Sequence, residues 1–117
     1  MTSPTDIRFD KASKTLHVAF DDGAAFAIPA ELLRVESPSA EVQGHFPSQK
    51  KLVAGRRHVS IIGIEPVGHY AVKLTFDDLH DSGLFTWDIL RRMGEEQDSL
   101  WQAYVDALAA AGLSRDP

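Results

Sequence analysis

Cysteine is absent from the 117 residues, which removes disulfides, thiolate metal sites, cysteine-held iron–sulfur clusters and cysteine nucleophiles together. Any metal site must be built from His, Asp, Glu or backbone oxygens. Long apolar runs are missing as well, and no stretch approaches the ~20 residues that cross a bilayer. The first ten residues, MTSPTDIRFD, have neither the basic nor the apolar region of a secretory signal, so the cytosol is the expected compartment. Positive charge is in deficit. With 12 Lys and Arg against 17 Asp and Glu the net charge is −5, which argues against nucleic acid as a partner, because a phosphate backbone demands a basic surface. Neither nucleic acid nor a membrane is expected to bind.

Several catalytic signatures are also missing. No serine sits in Gly-x-Ser-x-Gly, no Gly-x-Gly-x-x-Gly or phosphate loop occurs, and the histidines at 17, 45, 58, 69 and 80 include no helix-spaced pair. Repeats and low-complexity segments are absent too.

What is present is an ordinary globular composition, 44% hydrophobic and 25% charged. One domain over residues 1–117 is expected, with enough chain to bury roughly two-thirds of its unfolded surface. Asp6–Phe9, Thr15–Phe20 and Ala24–Ile28 read as an antiparallel meander, since Leu16, Val18 and Phe20 alternate with His17 and Ala19. Asp21-Asp22-Gly23 makes the tight turn, and Pro29 opens a short helix. Ser37–Gly55 reads as a long irregular connection with Val42, Phe46, Leu52 and Val53 turned inward. Val59–Gly68 and His69–Phe76 form a hairpin through Pro66-Val67-Gly68, with Tyr70, Val72, Leu74 and Phe76 on one face. Gly83–Thr86 adds a short strand. A helix follows with Thr86 as N-cap and Asp88 in its first turn. The last helix, about 98–112, is capped by Asp98 and stopped by Gly112. Its stripe is Leu100, Trp101, Tyr104, Val105 and Leu108. Strands first and helices last predict an α+β fold: a small antiparallel or mixed sheet, short helices, and a C-terminal amphipathic helix packed on one side.

Two stretches carry potential chemistry. KKLVAGRRH holds Lys50, Lys51, Arg56 and Arg57, four of the twelve basic residues. It reads as a solvated loop, or else as an interaction patch for an acidic partner or a phosphate group. FDDLHDSGLFTWDIL (Phe76–Leu90) concentrates four aspartates and one histidine. Asp77 and Asp78 are adjacent and point in different directions, so they do not face one substrate. As a turn the stretch is well made, because Asp77, Asp78 and Asp81 can accept from backbone N–H groups and Ser82-Gly83 lets the chain reverse. The rival reading is a metal site of His80, Asp78 and Asp81, joined by His45 or His69, or a weak Mg²⁺ or Ca²⁺ site. Phe85 and Trp87 read as core anchors. Leu84, Phe85 and Trp87 together with the last helix offer enough apolar surface to suggest a homo-oligomer.

IEPVGHYAVKLTFDDLHDSGLFTWDILRRMG (Ile64–Gly94), LRVESPSAEVQGH and GRRHVSI resemble the small proteins and modules related to the N-terminal domain of γ-butyrobetaine hydroxylase. The resemblance covers about residues 5–95, and His-Asp-Ser-Gly-x-(aromatic)-Thr-Trp-Asp is its most specific run. In longer relatives such a module precedes an iron- and 2-oxoglutarate-dependent catalytic domain, and it also occurs on P-loop ATPases that carry iron–sulfur clusters. In the hydroxylases it binds structural zinc through Cys-x-Cys-x-x-Cys, after a Leu-Arg pair, and one later histidine. Here the pair is Leu33-Arg34. Ser37, Ser39 and Val42 stand at the cysteine positions, and His80 stands near the histidine. The resemblance thus implies a module whose zinc site is dismantled and which requires no cofactor. The expected role is non-catalytic and accessory, acting on a protein partner that family context makes a metalloenzyme or iron–sulfur assembly protein. The alternatives are metal binding through His80 with Asp78 and Asp81, and a stand-alone enzyme.

Overall fold

The computed structural model describes residues 3–44, 46–81 and 83–117. Strands β1 (Pro4–Asp10), β2 (Thr15–Phe20) and β3 (Ala25–Pro29) form an antiparallel sheet in the order β1-β2-β3. Leu16 pairs with Phe9 on one side and Ile28 on the other. Leu16, Val18 and Phe20 are buried while His17 and Ala19 are not, as a period of two requires. Helix α1 (Ala30–Val35) follows directly, with Pro29 at its N-cap. Helix α2 (Ala40–Gln43) and a 3₁₀ turn at Pro47–Gln49 punctuate the long connection. A second antiparallel sheet holds β4 (Ile61–Val67), β5 (Ala71–Phe76) and β6 (Leu84–Thr86) in that order. Helices α3 (Trp87–Glu95) and α4 (Gln97–Ala110) complete the chain. The α+β class is as expected.

Where the expectation was one sheet, there are two, both antiparallel. The reason lies at the strand edges. Strand β3 ends in Pro29, and β1 begins at Pro4 with a register shift beside it. Strand β4 has its own shift between Ile61 and Gly63 and carries Pro66. Proline and bulges interrupt an edge ladder, so neither sheet extends the other by pairing. The two meet instead through side chains. One core cluster contains Leu16, Val18 and Ile28 from the first sheet, Leu74, Phe76 and Phe85 from the second, and Tyr104 and Leu108 from α4.

Smaller differences follow from the same packing. Pro66 and Val67 lie within β4, and the turn falls at Gly68–Tyr70, with Gly68 at φ 55°. Tyr70 is therefore a turn residue, 53% exposed, and not part of the inward row. In the long connection Val42 is buried as anticipated, but Phe46 (65%) and Leu52 (38%) are exposed. Helix α4 begins one residue before Asp98, with Glu96 at the N-cap, so Asp98 sits in the first turn without capping it. Of the apolar trio at β6, Phe85 is fully buried in the core, and the Trp87 Nε1–H donates to the His69 carbonyl (2.8 Å). That trio leaves mainly Leu84 outside.

Candidate functional site

The chain after α1 and the turn after β5 bring Ser37, Ser39, Glu41 and His80 together. His80 is 7% exposed. Its Nε2 lies 2.9 Å from Ser37 Oγ and 3.3 Å from Ser39 Oγ, and its Nδ1 lies 3.2 Å from Glu41 Oε2. A carboxylate accepts only, so Nδ1 carries the proton and Nε2 accepts from the hydroxyls. Ser37 Oγ in turn accepts from the Ser39 N–H (3.4 Å). Gly83 makes this fit possible. A Cβ there would run into Ser37 Oγ and meet Pro38 Cδ at 3.2 Å.

Asp78 anchors the turn on its other side. Its Oδ2 accepts from Arg34 Nε and Arg56 Nε, both at 2.8 Å, and its Oδ1 accepts from the His80 N–H (3.2 Å). Burial pushes the Asp78 carboxyl up, but the Arg34 hydrogen bond, the His80 N–H and both guanidinium charges outweigh it and hold it below the usual range. For His80, burial and then the Arg34 charge push the pKa down, against the opposing pull of Glu41 and Asp78. The imidazole is therefore favoured in its neutral form, with both guanidinium groups on Asp78 and Glu41 on the His80 Nδ1–H. Arg34 Nη1 is buried with no hydrogen-bond partner among the described residues.

The acid-rich turn divides its carboxylates. Asp77 Oδ1 accepts from the Ser60 N–H (3.1 Å), Asp78 takes the two arginines, and Asp81 faces Lys73 at 3.9 Å. His69 precedes β5 and His80 follows it, which separates them by roughly 20 Å of strand. His45 lies outside the described residues, as does Ser82. Among the described residues no three His, Asp or Glu side chains are grouped to hold a metal ion. The basic stretch is likewise divided. Lys50 pairs with Glu36 (2.7 Å), Arg56 with Asp78 and Arg57 with Asp116 (2.5 Å). Lys51 has no carboxylate partner among the described residues.

The order Ser37–His80–Glu41 matches the connectivity of a nucleophile, base and orienting carboxylate. Its exposure is inverted. Ser37 has no solvent exposure, whereas the Glu41 side chain is 68% exposed. A reacting carbonyl has no approach to Ser37 Oγ in this arrangement.

A family model described as "Gamma-butyrobetaine hydroxylase-like, N-terminal" matches residues 7–91. The chain belongs to that family. A solution structure determined by NMR is 52% identical, with a TM-score of 0.86, and the match covers 100% of this chain and 92% of the other. A second NMR structure is 44% identical (TM-score 0.87), covering 100% and 87%. A crystal structure of a DUF971-family protein of unknown function from Acidithiobacillus ferrooxidans is 40% identical (TM-score 0.67), covering 79% and 92%. No curated protein matches the chain.

By the resemblance, Ser37, Ser39 and Val42 stand at the cysteine positions of the hydroxylase zinc site and His80 stands near its histidine. Ser37, Ser39 and His80 do cluster, which supports the positional correspondence, but the donor set does not fit the ion. Two hydroxyls and a buried aliphatic side chain replace three thiolates, and the His80 Nε2 lone pair is directed at the hydroxyls. Zinc requires deprotonated or strongly basic donors in a tetrahedron. Hydrogen bonds join the two segments where the metal would have done so. Sequence reasoning reached Ser37, Ser39 and His80 through the resemblance but missed Glu41 and the Arg34–Asp78–Arg56 group. Nothing in local spacing pairs residues that far apart.

Proposed function

We propose that this protein is a non-catalytic accessory module of the γ-butyrobetaine hydroxylase-like N-terminal family that works by protein contact and needs no resident metal. The observation that carries the reading is the sealed Ser37–His80 bond. Ser37, Ser39 and His80 are spent on holding the α1–α2 segment to the β5–β6 turn, and both hydroxyl-bearing residues are buried. Family context supplies the class of partner, a metalloenzyme or an iron–sulfur assembly protein, by analogy of domain setting. Asp78, Asp81 and His80 have other hydrogen-bond and ion-pair partners, which weighs against the metal-binding alternative.

Calorimetric titration with Zn²⁺, Fe²⁺ and Mn²⁺ tests the metal-independent part. The expected result is no stoichiometric uptake. One equivalent bound by the wild type and lost in His80→Ala would replace this reading with the metal-binding one. Native-level affinity purification tests the contact part, with specific enrichment of an iron-handling protein expected and background alone counting against it.

A further inference from the structure

Leu79 has a left-handed backbone (φ 70°) and is nevertheless 76% exposed. It closes the tight connection after β5, where the Leu79 N–H donates to the Phe76 carbonyl (2.8 Å) and the Phe76 N–H to the His80 carbonyl (3.0 Å). Such positions favour glycine or asparagine, because a Cβ crowds the following carbonyl. Neither packing nor backbone preference accounts for a leucine at this place. On either side stand Asp77, exposed at the turn, and Asp81, whose side chain is 52% exposed.

Elsewhere on the molecule, Val35, Val53, Ala103, Tyr104 and Ala107 line a groove of about 230 Å³ with Lys50 and Lys51 on its rim. A cavity of about 150 Å³ suffices for a benzene ring, so a leucine side chain fits. Glu36, which also borders the groove, neutralises Lys50; Lys51 supplies the uncompensated charge.

We propose that these two features bind each other between molecules: the Leu79 tip of one copy, flanked by carboxylates, seats in the basic-rimmed groove of a second copy. The charges are complementary, and the apolar anchor meets an apolar floor. Tip and groove are different patches, so the contact is head-to-tail and not a two-fold pairing. It needs no second protein and stands apart from the accessory role above.

Proton–nitrogen correlation spectra of the full chain, recorded from micromolar to millimolar concentration, test this. Shifts are expected to grow together at residues 77–81, 50–53 and 103–107, and to weaken with added salt. Leu79→Gly should lower the association at least about tenfold, the loss of a buried leucine side chain. It should leave the urea midpoint unchanged or higher, since glycine relieves the left-handed strain. Lys51→Glu should weaken association without changing the midpoint. Absence of concentration dependence, shifts confined to another face, or undiminished association of Leu79→Gly would each overturn the proposal. So would a lowered midpoint in Leu79→Gly, which would make Leu79 an internal structural residue.

Discussion

Burial, and then the Arg34 charge, disfavour the imidazolium form of His80 and place its folded pKa below the ordinary 6.5. Over the interval between the two values the unfolded chain binds a proton that the folded chain excludes. His80 therefore contributes stability that is complete above about pH 6.5 and is lost as the pH falls below it. Urea unfolding followed from neutral to mildly acid pH should show this decline in the wild type and a flatter profile in His80→Gln; a wild type that gains stability on acidification would contradict the burial account. Asp78 acts in a lower window. Its carboxyl is held below 3.8, so its contribution is present above that value and lost as the pH falls further. Gly83 offers a test independent of pH. Its replacement by alanine drives a Cβ into Ser37 Oγ and against Pro38, and overpacking of this kind destabilises by about 1–3 kcal/mol. A urea midpoint unchanged in Gly83→Ala would show that the α1–α2 segment yields freely.

Secondary-structure elements whose pattern is local were legible in the chain. The alternation of β2 and the stripe of α4 both reflect the side-chain periods of 2 and 3.6. Thr86 behaves as its position predicts: its Oγ1 accepts from the Ile89 N–H (3.2 Å) and satisfies one of the free donors of α3. Thr86→Ala should cost about 1 kcal/mol, read from the urea midpoint, and Thr86→Ser should recover most of it. Equal losses in both variants would assign the effect to the threonine methyl and not to the cap. Gly112 also acts as expected. At φ 68° it ends α4 with the Leu113 N–H bonded to the Leu108 carbonyl and its own N–H to that of Ala109, a reversed-turn stop that favours glycine. Pro66 was misplaced because proline usually marks a turn, whereas an edge strand tolerates it where its missing N–H would have faced solvent.

The joining of the two sheets is a matter of packing across the entire chain. Residues of both sheets, α1, α3 and α4 share one cluster, although the family match ends at residue 91 and α4 begins at Gln97. Tyr104 and Leu108 reach back into that cluster, and the Tyr104 hydroxyl donates to the Val53 carbonyl (2.7 Å). Arg115 adds a further tie, donating to both Glu31 carboxylate oxygens at 2.8 and 2.9 Å. Unfolding in urea should therefore be a single transition, with tryptophan fluorescence and far-ultraviolet circular dichroism giving one midpoint. Separate midpoints would make α4 an independent unit. The interrupted edges of β1, β3 and β4 carry a further consequence: association by strand pairing is disfavoured along them.

The order of the six strands, the short helix after Pro29 and the two final helices, with the absence of thiolate chemistry, could be read from the chain, because each depends on residue identity or on neighbours a few positions away. Of the aspartate-rich turn only the Asp78 bond to the His80 N–H was local in this sense; Asp77 reaches Ser60 and Asp81 faces Lys73. The number of sheets, the arginine partners of Asp78 and the closure of Ser37 over His80 could not be read in that way. Ser37 and His80 are 43 positions apart, and Arg34 and Asp78 are 44. Hydrogen bonds over such separations carry no local period; they exist only after the core has brought the α1–α2 segment and the β5–β6 turn into one place.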